Sequence, residues 1–138
     1  MIVLDTNVLS DLMRTAPTPA VLDWINAQPP EGLYTTTINQ AEILFGLAIL
    51  PHGAKERSLA AAADQMFAED FCERILPFDS AAAVLFAKVA AERRHSGKPI
   101  AQLDAQIAAI ALSRGAAVAT RNTADFTGCG VEIVNPWS

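Results

Sequence analysis

The chain has 138 residues, a net charge of −5, an isoelectric point near 4.8 and a mean hydropathy of +0.26, with 51% of its residues hydrophobic. That length predicts one domain, residues 1–138, with a real core, and the charge argues against gripping nucleic acid through bulk positive charge. No apolar run approaches a membrane span, no basic-then-apolar leader opens the chain, and Cys72 and Cys129 lack a metal-binding spacing, so a reduced cytoplasmic protein without membrane contact is expected.

Ile2-Val3-Leu4 is a continuous apolar run of the kind that makes a strand buried on both faces. Asp5 ends it, and Asp5 or Thr6 caps a helix through Val8–Met13. Thr15–Pro19 is a break, because two prolines remove backbone donors, and Val21–Ile25 gives a short amphipathic helix. Leu33–Thr36 has strand composition, and Thr36, Thr37 or Asn39 caps a helix over Ile38–Leu50. A further helix is predicted from Lys55 to Phe71, then a strand over Arg74–Phe78 and a long helix from Asp79 or Ser80 to Arg94. After the loop His95–Pro99 comes a helix over Leu103–Arg114, with Gly115 as its C-terminal stop. Ala117–Thr120 is the fourth strand, Gly128 and Gly130 bracket a turn, and Val131–Val134 is a last edge strand. Strands alternating with helices predict a three-layer α/β/α sandwich around a mainly parallel sheet of four to five strands.

Four acids stand where acids are costly. Asp5 closes the first strand, at the sheet edge where open α/β folds keep their sites. Glu42 has Ile38, Phe45, Gly46 and Ile49 at helical spacing, which puts its carboxylate on or beside the core face. Asp104 opens a helix that is apolar almost all round, and Asp125 follows the fourth strand. Taken singly, a helix cap, a first-turn acid and a turn aspartate explain Asp5, Asp104 and Asp125. Together they map to one edge of one sheet, with Glu42 near the same crevice. Such a group needs a divalent cation, and all-oxygen ligands favour Mg²⁺ or Mn²⁺ over zinc. A site of that kind activates water for in-line attack on a phosphodiester.

Ile-Val-Leu-Asp-Thr-Asn at the start, Ile-Asn-Gln-Ala-Glu-Ile near residue 40, Leu-Asp-Ala-Gln-Ile-Ala-Ala at Asp104 and Val-Ala-Thr-Arg-Asn-Thr-Ala-Asp-Phe occur in this order along the chain. Together with the closing Val-Asn-Pro-Trp, they resemble the PIN-domain ribonucleases, most closely the VapC/FitB-like toxins of toxin–antitoxin pairs. The resemblance implies a PIN-like fold and a Mg²⁺-dependent endoribonuclease held inactive by a small antitoxin. Residue by residue it makes Asp5, Glu42 and Asp104 the first three acids of the site, with Asp5 and Asp104 in direct metal contact. Glu42 would bind through water or orient the attacking water, and Thr6, Asn7 and Thr120 would support the acids. Relatives carry the fourth acid directly after Thr-Arg or before Phe. Here Asn122 follows Thr-Arg and Asp125 precedes Phe126, a departure that bears on a second metal.

The competing reading is a catalytically inactive RNA- or partner-binding module, which has no reason to keep four costly carboxylates together. A haloacid-dehalogenase-type phosphatase would need an acid where Asn7 stands. A response-regulator receiver, with Asp79 as phosphoacceptor, would need a lysine near the last strand. The expected partners are RNA, a cognate antitoxin whose tail covers the acidic groove through an Arg or Lys, and a second copy of the chain. DNA contact would come only through the antitoxin. Helix surface around Val8–Met13 and Ile38–Leu50 is the expected burial area, and Arg93, Arg94, Lys98 and Arg121 are the expected steering charges for RNA.

Overall fold

A computed structural model describes all 138 residues. Its strands are β1 (Ile2–Leu4), β2 (Leu33–Thr36), β3 (Ile75–Leu76), β4 (Ala117–Ala119) and β5 (Ile133–Val134). The helices are α1 (Thr6–Leu12), α2 (Pro19–Asn26), α3 (Thr37–Ala48), α4 (Ala54–Gln65), α5 (Ser80–His95), α6 (Gln102–Ser113) and α7 (Thr123–Phe126). Every strand pairing is parallel, in the order β3-β2-β1-β4-β5. This is the expected three-layer α/β/α arrangement. Val3 and Leu4 face opposite ways, as a strand requires, and seed the two halves of the core. Val3 packs with α5, α6 and Phe126, whereas Leu4 packs with Val8, Leu9, Val21, Ile43 and Met66.

The chain leaves β1 toward β2 on one side, and β4 lies on the other side of β1. That reversal opens a crevice at the C-terminal ends of β1 and β4, the place where such sheets bind ligands. Asp5 and Thr120 are the residues immediately after those two strands.

Local chemistry explains most boundaries. Thr36 caps α3 through its hydroxyl, which accepts from the amides of Ile38 and Asn39, and Asp79 caps α5 by accepting from Ala82. Gly115, at φ +65°, ends α6 in a Schellman turn: its amide bonds the Leu112 carbonyl while the Ala116 amide bonds that of Ala111.

The strands expected over Arg74–Phe78 and Val131–Val134 shorten to Ile75–Leu76 and Ile133–Val134, and three further segments differ from the sequence expectation. Pro19 opens α2 and does not belong to the break before it, because a proline in the first helical turn loses no hydrogen bond. The helix expected over Lys55–Phe71 ends at Gln65 and passes into a π turn over Met66–Asp70, in which the Phe71 amide reaches back to the Met66 carbonyl at 2.9 Å. The widened turn lets both Met66 and Phe71 point inward. Residues Thr123–Phe126, expected as a turn, form a short helix whose one buried side chain is Phe126.

Two expectations about faces are narrowed by the structure. Of the surface expected over Val8–Met13, Val8 and Leu9 are fully buried in the core and unavailable to a second chain, whereas Leu12 and Met13 stay partly exposed. Phe45 and Ile49 are 66% and 67% exposed, so the buried face of α3 is that of Asn39 and Ile43. Helical spacing finds an apolar stripe but cannot say which of two stripes meets the sheet.

Asp11, which drew no notice in the sequence, is buried and stitches the proline-rich loop. It accepts from the Thr18 amide and hydroxyl at 2.9 and 2.8 Å and from Arg14 at 3.2 Å. Burial pushes its carboxyl up, but these bonds outweigh that and hold it below the ordinary value.

Candidate active site

Asp5 is the centre of the crevice. As N-cap of α1 it accepts from the Thr6 amide at 2.8 Å, so the bland role of helix cap is real. The same Oδ1 accepts from Asn39 Nδ2 at 3.1 Å, while Oδ2 accepts from Thr120 Oγ1 at 2.8 Å and, weakly, from Asn7 Nδ2 at 3.4 Å. These donors come from β2–α3, from the end of β4 and from α1. Burial nevertheless dominates and raises the Asp5 carboxyl above its ordinary value.

Asn39 is a residue that motif reading passed over except as a possible cap. It is fully buried, donates to both Asp5 and Thr6 Oγ1, and accepts from Thr36 Oγ1 at 2.6 Å. The sequence signal that could have found it is a polar residue one turn before Glu42 on the same inward stripe. Thr6 in turn donates to Glu42 Oε1 at 2.9 Å. Glu42 therefore sits half-buried at the margin of the core, with burial raising its carboxyl and the negative charge of Asp5 adding to the rise. Asn7 and Thr120 complete the frame: Asn7 donates to Thr120 Oγ1 and accepts from the Arg121 amide, while Thr120 Oγ1 also accepts from the Asn122 amide.

Asp104, in the first turn of α6, is pushed up to about 6 by burial first, then by the charges of Asp5, Asp125 and Glu42. The four acids, from four separate segments, thus share one electrostatic neighbourhood. No three of them form a ready-made metal cluster as the side chains stand. Asp125 is exposed on α7, and Asn122 is exposed beside it.

Arg93 departs from its expected role as an RNA-steering charge. It is half-buried, and its guanidinium donates to the carbonyls of Lys98, Asp125 and Thr127 at 2.7, 3.0 and 2.9 Å. It also reaches Cys129 Sγ at 3.5 Å. The side chain is a strap from α5 to the segment carrying Asp125, and its charge lowers Asp104 against the three acids. Removing it by Arg93→Ala is expected to lift Asp104 above about 6, read by NMR titration of the carboxyl. An unchanged titration would show that the strap exerts no field there.

His52 is exposed and its one ion-pair partner is Glu56 at 3.6 Å. Cys72 and Cys129 are free thiols. No helix is long and apolar enough to cross a membrane.

A parallel five-stranded sheet with an acidic crevice at its β1/β4 switch point defines an open α/β domain. The PIN domain family model matches residues 2–127. The chain belongs to the PIN-domain family. It is 43% identical to a protein of Sinorhizobium fredii named VapC ribonuclease Y4jK, over 99% of this chain and 98% of that one. It is 38% identical to the toxin FitB of Neisseria gonorrhoeae, over 99% of each. Among solved structures, a chain of the FitAB complex bound to a DNA fragment superposes with a TM-score of 0.93 at 38% identity, covering 100% of this chain and 96% of that one.

Proposed function

We propose that this chain is a divalent-metal-dependent endoribonuclease acting as the toxin of a toxin–antitoxin pair. The observation that carries the reading is Asp5 at the end of β1, whose oxygens accept from Thr6, Asn39, Thr120 and Asn7 while Thr6 also holds Glu42. The rise of Asp104 to about 6 through burial and the neighbouring acids supports the reading. Full-length likeness to a VapC ribonuclease and to toxin FitB supports it.

An all-oxygen donor set fits a hard cation, Mg²⁺ with Mn²⁺ as substitute. Asp5 has four donors on its two oxygens, filling the acceptor sites of a carboxylate. The bond to Asn7 at 3.4 Å is the weakest and the one a ligand would replace. Asp5 and Asp104 would hold the ion, with Asp125 supplying further negative charge at the rim. Bound there, a divalent cation would polarise a phosphate oxygen and make water a nucleophile near neutral pH. Thr6 holds Glu42 by its Oε1, leaving Oε2 to orient the attacking water and take its proton. Thr120 and Asn39 keep Asp5 from turning away during the reaction.

For partners, the reading includes an antitoxin whose basic side chain pairs with these acids and blocks the crevice. DNA would be contacted by that antitoxin, since this chain is acidic. Leu44, Phe45 and Ile49 on α3 supply exposed apolar area for a homodimer. Purified protein is expected to cleave single-stranded RNA with Mg²⁺ or Mn²⁺ and to stop when EDTA is added. Cleavage that persists in EDTA, or survives Asp5→Asn, would refute the metal mechanism. RNA binding with no cleavage under any metal would favour the inactive binding module.

A further inference from the structure

We infer that Arg121 and Trp137 form a stacking platform for one unpaired nucleobase of the RNA strand, beside the acidic crevice. The inference rests on the ribonuclease reading above and adds a base-binding subsite to it. The Arg121 guanidinium lies over the Trp137 ring, its central carbon 5.2 Å from the ring centroid. The guanidinium is backed by the indole and the residue is exposed, so the pair presents a cationic surface over an aromatic ring. Unstacked RNA bases bind such surfaces, on aromatic rings and on arginine planes alike.

The backbone of both halves of the platform is tied down before any ligand arrives. The Arg121 amide donates to Asn7 Oδ1 at 3.2 Å, and Asn7 is bonded to Thr120 and Asp5. The Trp137 amide donates to Asn135 Oδ1 at 2.9 Å, and the indole packs against the half of the core built on Leu4. The ordering left for binding is then mainly that of the Arg121 side chain, which the indole already contacts. The pair also lines a groove of about 640 Å³ that runs from Thr6 and Glu42 to Arg14 and Lys55. Arg14 is held by Asp11, whereas Lys55 and Arg121 are in no ion pair. In a chain of net charge −5, that is an unusual gathering of cations next to a set of acids. A strand whose phosphates follow the cations and whose scissile phosphate lies at the acids would carry a neighbouring base across Arg121.

The test compares a single-stranded RNA decamer with versions carrying one abasic residue at each position in turn. With Mg²⁺, Arg121→Ala and Trp137→Leu are expected to raise KM roughly 5- to 100-fold while leaving kcat within about threefold. Trp137→Phe should keep most of the affinity, and Arg121→Lys, which keeps charge but loses the plane, should not. One abasic position should weaken the unsubstituted protein by a similar factor and Arg121→Ala hardly at all, the non-additivity expected of a direct contact. Binding of labelled decamer to the Asp104→Asn protein gives the same comparison without cleavage. Full activity in Arg121→Lys would reduce the residue to a steering charge and overturn the platform, as would additive losses at every abasic position. An unsubstituted protein that cleaves no RNA would refute the ribonuclease reading, whereas coupling in the binding assay would still establish the platform.

Discussion

Asp104→Asn is expected to lower RNA cleavage by at least about 100-fold and, in the absence of metal, to make the protein harder to unfold at neutral pH. The loss of activity follows from removing a charge that would hold the cation. The gain in stability follows from the same charge being unwelcome in its surroundings. Folded Asp104 titrates at about 6 against an ordinary 3.8, so between those values the folded chain binds more protons than the unfolded one. Stability of the unsubstituted protein therefore falls as pH rises through that window and stays lower above it. After allowance for screening by nearby solvent, the penalty is on the order of 1–2 kcal/mol. Asparagine carries no such penalty. Melting curves in EDTA should show the variant several degrees more stable at pH 7.5, with the gap closing toward pH 4. Adding Mg²⁺ should stabilise the unsubstituted protein more than the variant. A gap that ignores pH, or a variant that melts lower at pH 7.5, would refute the electrostatic account of this site.

Phe126→Ala is expected to cost about 3–5 kcal/mol of folding stability, the range for deleting a fully buried aromatic ring. Phe126 is 0% exposed and lies in the same half of the core as Ile107, Ile110 and Cys129. It is the one buried side chain of α7, a helix of 4 residues too short to persist without it. Urea unfolding should show a lower midpoint with an unchanged slope. Because α7 carries Asp125, cleavage should fall even under conditions where the variant remains folded. Phe126→Leu, which keeps most of the volume, should cost no more than about 1.5 kcal/mol and spare most activity. A midpoint shift below about 1 kcal/mol for the alanine variant would mean that the cavity collapses freely.

Asp5 and Asp104 were legible as site candidates because each interrupts an otherwise apolar segment at its end, a pattern visible in a few residues of sequence. Glu42 was singled out for a partly mistaken reason. The stripe taken for the core face of α3 holds the exposed Phe45 and Ile49, and Glu42 adjoins the true face of Asn39 and Ile43. Arg93 was read only as a charge, and its role as a strap was missed. A basic residue near a helix end looks like surface charge until the chain folds a run of bare carbonyls against it.

The alternation of strand and helix, the parallel sheet it demands and the glycine stop of α6 were determined by the sequence itself, which also narrowed the cap of α3 to Thr36, Thr37 or Asn39. These depend on burial periodicity and backbone preference over stretches of fewer than twenty residues. Tertiary structure alone decided that Asn39 and Thr120 would share Asp5, that Thr6 would hold Glu42, and that Arg93 would restrain the segment bearing Asp125. Those contacts join residues 32 to 115 positions apart. Their pairing follows from the order β2-β1-β4 in the sheet, a global balance of packing that no local pattern encodes.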